Sequence, residues 1–218
     1  MKWIQQFSHS NTPFCIYKLN KGDTITYRKL QLLHNRHFII LYGVIYLLKI
    51  FTNQEITTIA ILKQGDIIKE PNYLKCSTYV IVSLTTSFIM SFLWQDFIKN
   101  QYIKSIFCET MTEAHKTTLC RYEIMNNILS HKSTKNRIIQ LILFLCKDFA
   151  LIENNEIIIP FYISQITIGI ITGSNKSNVN IVINKLCKIG AISYNNDKHI
   201  CIRDPLILSY CYNQVNEL

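Results

Sequence analysis

The chain lacks most of the features that mark a metal centre, a redox centre or an enzyme. Its eight cysteines (15, 76, 108, 120, 146, 187, 201 and 211) include no CxxC pair and no His/Cys cluster at zinc spacing. They are expected to be free thiols in a reducing compartment, and those within apolar runs, such as Cys146 in LILFLCKDF, read as small core residues. No Gly-rich phosphate loop and no nucleophile motif occurs, and the six histidines (9, 34, 37, 115, 131 and 199) stand isolated. Nothing here reads as catalytic, so no enzyme and no metal site is expected. The most hydrophobic run, FIILYGVIYLLKIF at 38–51, is too short to span a bilayer and contains Gly43 and Lys49. It reads as two buried strands, and no membrane partner is expected. The segment MKWIQQFSHSNTPF has neither an apolar h-region nor an Arg-rich amphipathic pattern, so neither a signal nor a transit peptide is expected and the protein is expected to work where it is made.

What is present describes a folded, basic chain. Its 218 residues, 49% hydrophobic and 17% charged, suffice for one large core or two modest ones. The formal charge of +9 favours polyanionic partners, either nucleic acid or an anionic membrane surface. Scattered lysines that keep a hydrophobic chain soluble would give the same figure. The excess is not localised: residues 1–109 carry 12 Lys+Arg against 6 Asp+Glu, and residues 110–218 carry 11 against 8. Charge alone therefore finds no site. Ile, Asn and Lys, the residues that AT-rich codons specify, crowd the chain.

Organisation shows in the changing period of the apolar residues. From 14 to about 93 short β-rich runs alternate with turn residues: FCIYKL, KGD, TITYRK, HFIILY, VIYLLKIF, TNQE, ITTIAILK, QGD and STYVIVSLTTSFIMSF. Such spacing predicts a sandwich or barrel rather than an alternating βα fold. From about Trp94 the period lengthens, and Ile103, Phe107, Met111, Ala114, Thr118, Tyr122, Met125 and Leu129 recur every three or four residues. This predicts a long helix whose seam packs on its own domain or on a second copy, and a dimer is preferred. SHKSTK at 130–135 is a polar break, after which NRIIQLILFLCKDF resumes an apolar helix.

The stretch ISQITIGIITGSNKSNVNIVINKLCKIGAI, 163–192, admits two readings. By local propensity SNVNIVIN looks like a strand, which would give a buried hairpin. Spacing favours a helix-turn-helix: Val179, Val182, Ile183 and Leu186 fall at i, i+3, i+4 and i+7, and Ile163, Ile166 and Ile170 make a shorter stripe. Gly173 suits the turn, Ser164 can cap the first helix, Ser174 or Asn175 the second, and Gly190 stands where a helix stop is expected. AISY and HICIR around NNDK then read as a β-hairpin, the wing of a winged helix.

These segments resemble the Crp/Fnr transcription regulators, in particular the cyanobacterial global nitrogen regulator and its red-algal plastid-encoded counterpart. The likeness rests on RIIQLILFLCKDF, the ITGSNKSNV core, LCKIGAIS and HICIRDPLIL, the last resembling a final strand and an Asp-Pro ending. More loosely it includes ILYGVIYLLKIFTNQEITTIAILKQGD, with Gly43 and Gly65 as turn glycines. It implies an α+β chain: an N-terminal cyclic-nucleotide-binding-type β-roll (jelly roll, 1–100), a long dimerisation helix (101–131) and a C-terminal winged helix-turn-helix (132–218). It implies a sequence-specific regulator that binds a palindromic double-stranded DNA operator as a homodimer and has RNA polymerase as a further partner. The implied setting is nitrogen assimilation in a plastid (chloroplast stroma), or the cytoplasm of a bacterium.

The DNA-binding set carried over is Ser164, Gln165, Ser174, Asn175, Lys176, Ser177, Asn178, Asn180, Asn184 and Lys185. Two positions depart from the pattern, since Lys176 and Ile181 stand where the family has arginines, and altered operator specificity follows. No cofactor is expected. As effector the resemblance implies 2-oxoglutarate, a dicarboxylate that arginines and backbone donors would hold; the positions available here are Lys69, Lys75, Ser77, Thr118, Arg121 and Glu123. The other reading is a non-catalytic interaction protein of the same fold, without effector response and with weak or altered DNA specificity.

Overall fold

A computed structural model describes residues 2–9, 11–27, 36–69, 77–99, 101–153 and 156–213. Lys75 and Cys76 lie outside the described residues. By compactness the chain divides once, between Glu123 and Ile124.

The first unit holds α1 (Lys2–His9), β1 (Phe14–Leu19), β2 (Thr24–Tyr27), β3 (Arg36–Tyr42), β4 (Val44–Phe51), β5 (Ile56–Lys63), β6 (Ile67–Lys69), β7 (Ser77–Ser83) and β8 (Ser87–Leu93). Beyond Leu93 the described residues on both sides of position 100 are helical, in α2 (Trp94–Lys99) and α3 (Gln101–Ser130), the latter running past the division. Two antiparallel four-stranded sheets, ordered β1-β8-β3-β6 and β2-β7-β4-β5, form the expected jelly roll. The run HFIILY shows no alternation because both faces of β3 are covered. Phe38 and Ile40 enter a core with Ile45, Leu47, Leu62 and Ile81 of the other sheet, while Ile39 and Leu41 enter a second core with Phe7, Phe92, Phe97 and Phe107. A strand covered on both sides reads as a continuous apolar run. Each such side chain contributes about 1.5–3 kcal/mol by leaving water.

The seam of α3 is used within this unit. Phe107, Met111 and Ala114 belong to the second core and Tyr122 packs against the first. Between them Thr118 Oγ1 accepts the Ile67 N–H at 2.9 Å and donates to the Ala114 carbonyl oxygen at 2.8 Å. Another flank of the helix is exposed, with Cys108, Thr112 and Leu119 on it.

The second unit contains α4 (Thr134–Phe149), β9 (Leu151–Glu153), β10 (Glu156–Ile158), α5 (Gln165–Thr172), α6 (Lys176–Lys188), β11 (Ile192–Tyr194), β12 (Ile200–Ile202) and α7 (Pro205–Asn213). The strand reading of SNVNIVIN is excluded, because it lies in α6 with Val179, Ile183 and Leu186 buried. AISY and HICIR pair as the expected hairpin, Ile192 opposite Ile202, inside a sheet ordered β11-β12-β10-β9. Two expectations are corrected. Ile166 and Ile170 do not form a buried stripe; they are 56% and 36% exposed, and α5 buries Ile168, Gly169, Ile171 and Thr172 instead. The Asp-Pro segment is not an ending after the last strand: Asp204 Oδ1 accepts the Leu206 N–H at 2.7 Å and Pro205 opens α7. An acceptor before a proline at the first helical position is a helix start.

The seven described cysteines are free; Cys201 and Cys211 are buried, Cys146 only half-buried. Burial pushes the Cys146, Cys187 and Cys201 thiols up, away from thiolate character. Among the described residues no cluster fit for a metal occurs, and no helix is long and apolar enough to cross a membrane.

Candidate nucleic-acid interface

The turn between α5 and α6 is built from caps. Ser164 Oγ accepts the Thr167 N–H at 3.0 Å at the start of α5, and Asn175 Oδ1 accepts the Asn178 N–H at 2.8 Å at the start of α6. Gly173 takes φ 59°, ψ 42°, a left-handed conformation that costs glycine nothing. Gly169 allows the close approach: a Cβ there would lie 2.6 Å from the Ser174 carbonyl oxygen. Ser174 turns its own hydroxyl back to the Thr172 carbonyl oxygen at 3.3 Å.

With its core face fixed by Val179, Ile183 and Leu186, α6 turns Lys176, Ser177, Asn178, Asn180, Ile181, Asn184 and Lys185 to the exterior. Ser177, Ile181, Asn184 and Lys188 follow one another at i, i+4, i+7 and i+11 and form the ridge opposite the core. Gln165, at the start of α5, donates from Nε2 to Asn180 Oδ1 at 3.2 Å, and Asn184 Nδ2 donates to the same oxygen at 3.1 Å. The two helices are thus joined on the exposed side by an amide chain.

Beside this ridge the N-terminus of α5, the N-terminus of α6 and the hairpin surround a concavity of about 330 Å³. Ser164, Gln165, Lys176, Tyr162, Tyr194 and Lys198 line it. Residues 157–196 include Lys176, Lys185 and Lys188 and no acidic residue. Free N–H groups and the positive end of the helix dipole at two N-termini add to these cations, a combination that favours phosphate. The Tyr194 phenol is pushed up to about 12, chiefly by burial, so it stays a neutral donor. Tyr162, Tyr194 and Lys198 are additions to the set expected from sequence. The NNDK turn had marked the hairpin, and its lysine, at φ 60°, was the available signal.

Of the positions named for an effector, Lys75 lies outside the described residues and the others differ in exposure. Lys69 and Glu123 are exposed and Ser77 is half-buried. Thr118 is engaged with Ile67 and Ala114. Arg121 is buried, its Nε 2.7 Å from Asp66 Oδ2, and Asp66 also accepts the Lys63 N–H at 2.7 Å. Burial holds the Asp66 carboxyl above the usual carboxylate range, with the Lys63 N–H and Arg121 opposing it.

A jelly roll, a long helix and a winged helix-turn-helix whose second helix is basic and acid-free make up the architecture of the Crp/Fnr regulators, as the sequence resemblance implied. No family model matches the chain. It is 26% identical over 218 residues, 95% of the chain and 86% of the relative, to ycf28 of Porphyra purpurea, provisionally named an HTH-type transcriptional regulator. Among solved structures it is similar to a CooA mutant from Carboxydothermus hydrogenoformans, with TM-score 0.73, 16% identity and coverage of 98% of this chain and 91% of that one. It is also similar to FixK2 from Bradyrhizobium japonicum, with TM-score 0.70, 13% identity and coverage of 93% and 99%. A CRP/FNR-family regulator from Thermus thermophilus superposes with TM-score 0.62 at 15% identity, covering 92% and 99%.

Proposed function

We propose that the chain is a homodimeric, sequence-specific DNA-binding regulator of transcription. The observation that carries this reading is the convergence of two helix N-termini, Lys176 and Lys198 around a concavity beside the exposed ridge of α6. Phosphates seated there would position the ridge in the major groove. Two copies related by a twofold axis would place their α6 helices about one DNA turn apart on a palindrome. The flank of α3 carrying Leu119, 64% exposed, is the surface offered for the second copy. RNA polymerase is the further partner such a role entails. Similarity to a red-algal regulator supports a plastid setting, and control of nitrogen-assimilation genes, which the sequence resemblance implies, is the finer form of this reading.

Control by 2-oxoglutarate is a separable extension. Arg121 already meets a carboxylate of the chain, so a dicarboxylate must compete with Asp66 or use Lys69 or Lys75. Titration calorimetry on the folded dimer decides this: no heat at millimolar ligand rejects the extension. The main reading is tested by band-shift of the full chain on palindromic and scrambled duplexes, with the oligomeric state measured by sedimentation. A dimer that prefers the palindrome supports it. Binding without that preference would favour an interaction protein that has left DNA reading behind.

A further inference from the structure

The ridge of α6 has a chemical character that says which bases it can read. No arginine occurs between Lys176 and Lys188, so the two-pronged donor that grips guanine O6 and N7 is absent from the helix. Lys176 lies off the ridge, in the concavity with Lys198, where it suits a phosphate. The middle of the ridge is instead an aliphatic side chain, Ile181, 54% exposed, followed one turn later by the amide of Asn184. That amide is oriented: Asn180 Oδ1 accepts Gln165 Nε2 at 3.2 Å and Asn184 Nδ2 at 3.1 Å, which leaves Asn184 with its carbonyl oxygen and one N–H unengaged. Adenine presents the complement in the major groove, an N6 donor beside an N7 acceptor, and thymine presents a methyl group for an aliphatic contact.

We propose that α6 is an A·T-reading helix, in which Ile181 packs on a thymine C5-methyl, Asn184 pairs with adenine N6 and N7, and Asn180 holds the Asn184 amide in place from Gln165. This rests on the DNA-binding reading above and names its specificity. Asn180 acts here as a positioning residue. The operator half-sites are then specified by A·T pairs where the family's arginines would select guanine.

The test begins with selection by the full-length chain from duplexes carrying a randomised 24-bp segment, a length chosen as roughly two helical turns. Half-sites dominated by A·T pairs are expected. In the enriched duplex, replacing the contacted thymine by uracil removes one methyl per half-site. Affinity should fall about fourfold per methyl, or about fifteenfold for both half-sites. The Ile181→Ala variant should bind the thymine and uracil duplexes equally. Replacing the contacted adenine by 7-deazaadenine should weaken the wild type and leave Asn184→Ala unaffected. Both substituted side chains are exposed, so thermal unfolding of the two variants should match the wild type within about 0.5 kcal/mol, which shows that they are folded. Half-sites dominated by G·C pairs, a wild type blind to the methyl, or an Ile181→Ala variant that keeps the thymine preference would each overturn the A·T assignment while leaving the regulator reading in place. Failure to bind any duplex would overturn both.

Discussion

Replacing Arg121 by methionine tests how α3 is held to the β-roll. The substitution keeps an unbranched stem and removes the guanidinium whose Nε lies 2.7 Å from Asp66 Oδ2. Asp66 keeps the Lys63 N–H as a donor and loses its cationic neighbour. Removing one partner of a buried pair costs about 3–5 kcal/mol, because the remaining charge stays desolvated. The two side chains are 9% and 3% exposed, so solvent screening does not reduce this figure to that of a surface pair. At about 2–4 °C per kcal/mol for a chain of this size, Tm should fall by about 6–20 °C. The loss carries a pH signature. Asp66 is held above the usual carboxylate range by burial, so its folded pKa exceeds its unfolded one. Its contribution is fully present below the unfolded value and is lost as pH rises through the raised folded value. Without Arg121 that folded value climbs further, so the deficit of the variant should shrink as the medium is acidified from about pH 8 to about pH 5. Thermal unfolding across that range reads both effects. A variant within about 1 kcal/mol of wild type at every pH would refute the reasoning, since the pair would then be worth no more than an exposed one.

Other substitutions probe the second unit. Gly169→Ala places a Cβ 2.6 Å from the Ser174 carbonyl oxygen, so the helix-turn-helix must open; thermal unfolding should show a loss of about 1–3 kcal/mol despite alanine's better helix propensity, with weaker DNA binding beside it. Asn175→Ala removes the acceptor for the Asn178 N–H and should cost about 1 kcal/mol in urea unfolding, most of it recovered by Asn175→Ser. Lys198→Ala removes one hairpin cation per chain; binding should weaken about equally on all sequences, and the salt slope of a dimer should flatten by about 1.8.

The helix reading of α6 was legible because its core face, Val179, Ile183 and Leu186, keeps the helical period whatever the β-branched side chains prefer locally. The jelly-roll strands were legible as runs, but which face of β3 meets which core was not, since Phe38 to Leu41 are buried on both sides. The stripe assigned to α5 failed for a definable reason. Ile163 precedes the Ser164 cap, so counting from it carried a helical period through a residue that is not helical and set the phase wrongly. Pro205 was read as an ending although Asp204 in front of it supplies an N-cap acceptor, so α7 was missed. At the interface, exposure of Lys176, Ser177, Asn180 and Asn184 followed from the core face of α6. The amide chain from Gln165 did not, because residues fifteen apart in sequence meet only once the turn has closed. Arg121 carried the opposite lesson: a spare arginine in sequence is, in the fold, the partner of Asp66.

The central claim, that α6 and the hairpin dock on duplex DNA, is tested most directly by the salt dependence of binding to a palindromic duplex. Lys176, Lys185, Lys188 and Lys198 give four lysines per chain around this face. If all of them meet phosphates, a dimer neutralises about eight, and log K against log salt should fall with a slope of roughly −7. A steep slope of that order, with tighter binding to the palindrome than to its scrambled counterpart, is the predicted result. A slope near zero, or equal affinity for both duplexes at every salt concentration, would contradict the account.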